Sequence, residues 1–155
     1  GNSNSGGWES SNMRTAIFGT SLSSYSGTII AVIPAALRAV LKSVTKYTNN
    51  TGNSSAASAV TATTDYFFLL SEYEVFGSTT YANSNEASKQ AQYSYYSAGN
   101  SKVKYNHSAT STAVYWWLRS PRASHSASFV YVHADGTVSD YYAIYSFGFA
   151  PGFCV

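Results

Sequence analysis

Apolar residues recur at helical spacing in two places near the start of the chain. Within residues 8–18, Met13 and Ile17 share one helical face, and we predict a short helix there. A second run begins at Pro34, which suits the first turn of a helix. Its apolar positions repeat at i, i+3, i+4 and i+7: Leu37, Val40, Leu41 and Val44. The pattern therefore predicts two early helices.

The pattern changes after these helices. Residues 48–64 are rich in Ser, Thr, Asn and Ala, which predicts a loop. Residues 66–70 form an apolar run of strand length, expected to be buried on both faces. Alternation continues through residues 71–77, which we interpret as an extension of that strand. Residues 78–113 are polar and poorly periodic, so we predict a long irregular insertion.

The C-terminal part of the chain has the features of a small antiparallel sheet. Short strands are predicted over residues 115–118 and 129–132, with a partner strand beginning near Thr137. The Asp-Gly pair in residues 134–136 indicates a hairpin turn between the last two. Residues 149–155 are expected to form a closing strand. Two early helices followed by short, mostly antiparallel strands predict an α+β fold, as a single domain over residues 1–155.

Three conspicuous side chains near residue 117 have structural interpretations. Trp116 and Trp117 are adjacent on a predicted strand, so they point to opposite faces, and we expect both to pack in the core rather than share a sugar site. Arg119 is expected to act as a structural clamp by pairing with a carboxylate. Three acidic residues are the candidates for that carboxylate: Glu9, Glu72 and Glu74.

Composition narrows the range of functions. Charged residues make up only 10% of the chain, against roughly 25% in an ordinary soluble domain. The net charge of +2 is small and the basic residues are scattered, so we expect no nucleic-acid partner. No apolar run approaches the length of a membrane span, so we expect no membrane insertion. Low charge with many Tyr, Ser and Asn residues favours an extracellular or virion-surface location.

Residues that could carry chemistry are few. The histidines and carboxylates of the C-terminal part, His125, His133, Asp135 and Asp140, have no spacing that closes a metal site. We therefore expect no metal, no other cofactor and no catalytic residues. Asp135 is expected to serve the turn before Gly136, and no segment resembles a hydrolase nucleophile elbow. The sequence thus favours a protein without enzymatic activity.

Several segments, in their order along the chain, resemble a known family. They are Gly7 to Arg14, Thr64 to Val75, Trp116 to Pro121, Asp135-Gly136 and Gly148 to Val155. Together they resemble a bacterial and phage domain family of unassigned function that is related to the C-type lectin fold. Some members are similar to the variable proteins of diversity-generating retroelements, whose C-terminal segment is rewritten by adenine-directed mutagenesis.

The resemblance implies lectin-like shape rather than sugar binding, because no Glu-Pro-Asn or Trp-Asn-Asp calcium triplet occurs. The family usually has strand-forming sequence before the Gly-Trp segment. None precedes it here, so we expect the usual N-terminal strands to be lacking. The first seven residues lack an initiator Met, so we expect the chain to be an internal or processed piece of a longer protein.

Residue usage is consistent with a rewritten segment over residues 122–147. Mutating the adenines of an Asn codon cannot yield Lys, Glu, Gln, Met or Trp. These types number 15 in residues 1–121, and none lies in residues 122–155, where about four would be expected at the rate of residues 1–121, itself modest against ordinary usage. The alternative is a Ser- and Tyr-rich sheet that simply lacks them. Sixteen positions are predicted to vary and to bind ligand: Arg122, Ser124, His125, Ala127, Ser128, Tyr131, His133, Ala134, Thr137, Ser139, Asp140, Tyr141, Tyr142, Ile144, Tyr145 and Phe147.

The sequence thus predicts a binding domain that displays a diversified surface to an unknown protein or cell-surface ligand, at a phage tail tip or on a bacterial surface. The alternative is a self-assembling extracellular fibre or coat component whose Tyr-rich faces contact other copies. The sixteen positions are expected to form one exposed face, with binding energy concentrated in Tyr141, Tyr142, Tyr145 and Phe147. Six residues are expected to pack inside: Trp116, Leu118, Phe129, Val130, Val132 and Phe153.

Overall fold

A four-stranded sheet dominates the C-terminal part of the protein, which we describe from a computed structural model of residues 2–155. Its strands are β6 (Trp116–Pro121), β7 (Ser128–Val132), β8 (Val138–Tyr142) and β9 (Gly148–Phe149), in the order β8-β7-β6-β9. β7 runs antiparallel to both β6 and β8, whereas β9 runs parallel to β6. The predicted strands and the hairpin between β7 and β8 are therefore confirmed.

The sheet packs on both faces, and each face has its own core. Trp117 and Tyr131 are register partners in β6 and β7 and belong to one core, with Trp8, Phe18 and Phe67. On the other face, Trp116 pairs with Val132 and packs in a second core with further apolar residues: Val75, Leu118 and Val130. The prediction that the adjacent tryptophans point to opposite faces and pack inside is confirmed.

Three smaller sheets complete the strand structure. β1 (Val44–Asn49) and β2 (Val60–Asp65) form an antiparallel hairpin, so the predicted loop over residues 48–64 is wrong. The polar composition concealed these strands, although Thr is β-branched and suits a strand. β3 (Phe67–Phe68) pairs with β10 (Gly152–Phe153), and β4 (Lys104–Asn106) pairs with β5 (Ala109–Val114). The expected closing strand is thus two short strands, β9 and β10, in different sheets.

The helices are all short. A π-helical turn covers Met13–Phe18, and the α-helices are α1 (Ile29–Val32), α2 (Ala35–Arg38), α3 (Glu72–Phe76) and α4 (Ser94–Ser97). The first predicted helix is confirmed only in its second half, and Ile17 is exposed rather than packed. No helix of residues 2–155 is long and apolar enough to cross a membrane.

The second predicted helix is wrong after Arg38. Its apolar positions separate in space, because Leu41 is buried, Val40 is 53% exposed and Val44 opens β1. The repeat at helical spacing therefore reflects three different environments rather than one helical face.

The strand predicted over residues 71–77 is wrong, because this segment is α3. The Ser71 hydroxyl accepts a hydrogen bond from the Glu74 amide at 3.1 Å, and the Glu74 carboxylate accepts one from the Ser71 amide at 2.9 Å. This capping box satisfies two backbone donors at the helix start. Gly77 ends the helix in the left-handed region, with φ of 68°. A Ser-x-x-Glu pattern in the sequence is the signal that predicts this helix.

Residues 78–113 hold more regular structure than their composition predicts. They include the β4–β5 hairpin, α4 and a 3-10 helix over Ser84–Lys89. Another 3-10 turn, Ala57–Ala59, lies before this segment, between β1 and β2. The Glu72 carboxylate organises the start of this segment by accepting hydrogen bonds from three successive amides, those of Thr80, Tyr81 and Ala82. The fold as a whole is α+β, with few short helices and short, mostly antiparallel strands.

Candidate functional site

One face of the four-stranded sheet carries a continuous group of aromatic side chains, which we call the aromatic face. Its members come from β6, β7, β8 and the loop after β8: Tyr115, Trp117, Tyr131, His133, Tyr141, Tyr145 and Phe147. Phe147 stacks on Trp117 with ring centroids 4.7 Å apart and planes 26° apart. Tyr131 lies at the centre, with its ring centroid 5.0 Å from that of Phe147 and 5.6 Å from that of Tyr115.

The aromatic face has a fixed floor and an exposed rim. Tyr131 is buried, whereas Tyr141 is 40% exposed and Tyr145 is 47% exposed. These two rim tyrosines contact each other edge to face, with ring centroids 4.6 Å apart. Large aromatic groups that are held in place by one another lose little conformational freedom on binding. The rim can therefore present contact area to a partner.

The remaining candidate positions do not all lie on this face. Arg122 and Asp140 form a bidentate ion pair on the opposite side of β8, with distances of 2.9 and 3.0 Å from one guanidinium nitrogen to the two carboxylate oxygens. The Arg122 guanidinium also lies over the Tyr81 ring. Tyr142 points to the same side and meets His125 edge to face. The sixteen residues thus cover both faces of β8 and its edge, rather than one flat patch.

The exposure of the sixteen positions falls into three groups. Six are exposed: Ser124, Thr137, Tyr141, Tyr142, Ile144 and Tyr145. Eight are half-buried: Arg122, His125, Ala127, His133, Ala134, Ser139, Asp140 and Phe147. Ser128 and Tyr131 are buried. Of the residues expected inside, Phe129 is half-buried, and the prediction for Phe153 is wrong because it is 44% exposed. β10 is an outer strand of a two-stranded sheet, which leaves one side of the Phe153 ring uncovered.

Asn4 holds the loop between β6 and β7 through the backbone of that loop, and no pattern in the sequence predicts this role. Its side-chain amide donates to the carbonyl oxygens of Arg122, His125 and Ser128, at 3.2, 2.7 and 2.9 Å. Its backbone amide donates to the Ser126 carbonyl at 2.8 Å. Asn4 is 1% exposed, and every one of these contacts is made to main-chain atoms. The contacts that Asn4 makes therefore do not depend on the side chains of the loop.

A cleft of about 540 Å³ separates the aromatic face from the N-terminal segment. One wall contains Trp8, Met13 and Ile17, and the other contains Trp117, Phe129 and the loop from Ala143 to Phe149. Several serine residues also line the cleft. The cleft is continuous with the exposed rim through Tyr145 and Phe147.

The residues considered as metal ligands are used in other ways. The Asp135 carboxylate accepts hydrogen bonds from the Thr137 amide and hydroxyl, at 2.9 and 2.6 Å, as a turn residue does. These bonds hold the pKa of Asp135 below its ordinary value. Asp140 pairs with Arg122, and the His125 ring faces the Ser128 hydroxyl at 3.1 Å. In the described part of the chain, no three His, Cys, Asp or Glu residues are grouped to hold a metal.

A buried polar network lies beside β6. The Arg119 guanidinium is fully buried and pairs with Glu74, so the predicted clamp is confirmed and its partner is identified. Lys46 donates to the same carboxylate at 2.9 Å. Burial acts to raise the pKa of Glu74, but the positive charges of Arg119 and Lys46 outweigh it and hold this pKa below its ordinary value.

Two other glutamates of the network have raised pKa values. Glu86 is fully buried and accepts hydrogen bonds from the Asn49 amide at 2.9 Å and the Ser120 hydroxyl at 2.7 Å. Burial raises the pKa of Glu86 from 4.5 to about 7. Burial also raises the pKa of Glu72, although the amides of residues 80–82 oppose this. The network ties β1, β6 and the helices together and lies away from the aromatic face, so we assign it to stability.

Comparison with known proteins places the chain in a family. A family model described as a domain of unknown function (DUF6273) matches residues 1–155, and the protein belongs to this family. No curated protein and no solved structure matches the chain.

Proposed function

We propose that this protein is a non-enzymatic binding domain that contacts a protein or cell-surface ligand through the rim of the aromatic face. The observation that carries the proposal is the exposure of Tyr141 and Tyr145 at the rim, with Tyr142 exposed on the other side of β8 and Ile144 exposed in the loop after it. All four are between 40% and 57% exposed, on a frame whose floor is buried. Exposed aromatic groups on a rigid frame are typical of the residues that dominate binding energy at interfaces.

We further propose that the fold is C-type lectin-like and that the C-terminal surface is diversified, as in the variable proteins of retroelements. The absence of Lys, Glu, Gln, Met and Trp from residues 122–155 supports this. The Asn4 contacts support it independently, because they hold the loop from Arg122 to Ser128 through carbonyl oxygens alone. A surface can vary without loss of folding when its backbone is fixed by other residues. A virion surface or an extracellular location follows from this role.

Two display libraries test the proposal. The first randomises the six exposed candidate positions to the residues reachable from an Asn codon. The matched library does the same at six buried positions of β6 and β7 that lie outside the sixteen: Trp116, Trp117, Leu118, Ser120, Val130 and Val132.

We expect most clones of the first library to remain protease-resistant and to yield binders of unrelated purified proteins, whereas most clones of the second lose resistance. Equal loss of folding in both libraries would contradict a tolerant surface.

At the genetic locus, a reverse transcriptase gene and a near-repeat of the 3′ coding end are expected. A locus without them would leave binding in place but remove diversification.

Self-assembly is the second candidate function, and two exposed rings outside the sixteen positions favour it. Phe149 is 43% exposed and Phe153 is 44% exposed, in β9 and β10. Exposed apolar groups that cluster in this way often mark contacts between proteins. Sedimentation over a range of concentrations distinguishes the two functions, since self-assembly requires mass to rise with concentration and to fall when Phe149 and Phe153 are replaced by Ser.

A further inference from the structure

The cleft beside the aromatic face differs from the rim in its chemistry. Among the described residues that line it, none carries a charge. A charged group that entered would lose its hydration without gaining a counter-charge, which is costly. The cleft therefore favours a neutral occupant.

The walls of the cleft are aromatic. Trp117 and Phe147 present stacked rings, and Trp8 and Phe149 approach Phe18 edge to face, at 6.0 and 5.7 Å between centroids. Trp8 and Trp117 are buried, so the rings most accessible to an occupant are those of Tyr145 and Phe149, which are 47% and 43% exposed. Accessible aromatic rings offer both faces and edges to a further aromatic ring. The volume of about 540 Å³ lies within the range of roughly 300–1,000 Å³ that is usual for pockets that hold small ligands.

Polar residues also line the cleft, among them Ser5 and Ser146, which are exposed. The hydroxyls of Ser5, Ser11 and Ser146 belong to the lining and can bond a single polar atom of an entering group. A phenol or an indole has this combination of a flat apolar body and one polar atom.

We propose that this cleft binds a neutral aromatic group, a phenol or indole side chain of the partner that contacts the rim. The inference rests on the proposed function for its biological role and names the chemistry of that partner. Tyr145 and Phe147 form part of the wall and belong to the candidate variable positions, so they would set which ring is accepted. Trp8, Trp117 and Phe129 form the constant part.

Binding of free indole and 4-methylphenol tests the proposal directly. The three tryptophan side-chain N–H groups are separate NMR probes, since Trp8 and Trp117 line the cleft and Trp116 lies on the opposite face of the sheet. We expect saturable shifts at Trp8 and Trp117 and none at Trp116. Indole-3-acetate and tryptamine, which are charged, are expected to bind at least ten-fold more weakly, and cyclohexanol several-fold more weakly.

Ser146→Trp, which adds a ring to the exposed part of the cleft lining, should abolish the shifts, whereas Ser111→Trp, at an exposed position of β5 outside the cleft, should not. Equal shifts at all three tryptophans, binding by cyclohexanol as strong as by indole, or unchanged binding in the Ser146 variant would overturn the proposal. So would a shift on simple dilution of the protein, because the occupant would then be a second copy.

The outcome separates this inference from the proposed function. If indole fails to bind while Tyr141→Ala and Tyr142→Ala still weaken a selected binder, only the cleft proposal is wrong. If indole binds but these alanine variants leave binders unaffected, the role of the rim is wrong and the cleft remains a site.

Discussion

At the scale of single residues, Glu86 is the most unusual group in the protein. Its carboxyl is fully buried, and burial raises its pKa from 4.5 to about 7. The folded chain therefore keeps a proton at pH values where the unfolded chain releases it. This contribution to stability is fully present below about pH 4.5 and is lost as the pH rises through about 7.

Glu86→Gln removes this dependence on pH. The amide keeps the size of the side chain and can serve both the Asn49 amide and the Ser120 hydroxyl. We expect the free energy of unfolding of the variant, relative to the natural protein, to rise by roughly 3 kcal/mol between pH 4.5 and 8, since one pKa unit corresponds to about 1.4 kcal/mol. Urea titrations over this pH range measure it.

Glu9→Gln is the matched control, because Glu9 is exposed. It should change stability by less than about 0.5 kcal/mol at every pH, as most surface substitutions do. A Glu86 variant whose relative stability is flat with pH would show that this carboxyl is not protonated in the folded state.

At the scale of elements, the sequence is most informative where one periodicity extends over a whole element. Residues of β7 alternate between the two cores, and so do Trp116 and Trp117 of β6. Alternation of this kind predicts both strands and the opposite directions of the two tryptophans. The pattern fails at α2 and β1, because Leu37, Leu41 and Val44 are buried to different extents by different neighbours. Periodicity describes one element, whereas burial in this region is decided by contacts between elements.

Prediction of the candidate site from the sequence has the same limit, because local patterns do not show contacts between distant segments. The hairpin and its exposed tyrosines follow from local signals, namely the Asp-Gly turn and the alternation of β7. The Asn4 contacts span more than a hundred residues of sequence, and Asn4 lies in a segment of Gly, Ser and Asn residues that all look alike. A hydrogen bond over this separation leaves no local pattern to detect.

The loop between β6 and β7 receives three hydrogen bonds from one side chain, that of Asn4. Asn4→Asp keeps the shape but replaces the donating amide with an acceptor, so the three loop carbonyls lose their partner. We expect the amides of residues 122–128 to exchange with solvent at least ten-fold faster, and stability to fall by about 1–3 kcal/mol, the usual cost of unsatisfied buried groups. Hydrogen exchange read by mass spectrometry measures both effects.

Asn100→Asp is the control, since the Asn100 amide donates to the Tyr95 carbonyl at an exposed site. It should leave exchange of the loop unchanged. Faster exchange throughout the domain in the Asn4 variant, rather than mainly in residues 122–128, would indicate a global role for Asn4 and not a specific one.

At the scale of the whole molecule, the aromatic face divides into residues that serve folding and residues that are free for contact. Tyr141→Ala, Tyr142→Ala and Tyr145→Ala should each cost less than about 1 kcal/mol, because their rings are largely in solvent. Tyr131→Ala should cost about 3 kcal/mol, since it empties the centre of a packed group. Thermal unfolding of the variants gives this order.

The structure moves Phe147 from the residues expected to serve binding to those that serve folding. We expected it to contribute to binding alone, but its ring stacks on Trp117 and packs against the core. Phe147→Ala is therefore expected to lower stability by about 1–3 kcal/mol. A loss as small as that of Tyr145→Ala would return it to the group of free contact residues.

The positions of β9 and β10 have a consequence for how the protein is made. β9 pairs with β6, β10 pairs with β3, and Cys154 forms a bridge with Lys42. These pairings join segments far apart in sequence, so the sheets and both cores are complete only when synthesis has passed residue 154. A premature stop or a shift of reading frame anywhere in residues 122–147 removes both strands. We expect a chain altered in this way to be less stable and more exposed to proteolysis, so under the proposed diversification proteolysis would remove the variants that lack β9 and β10.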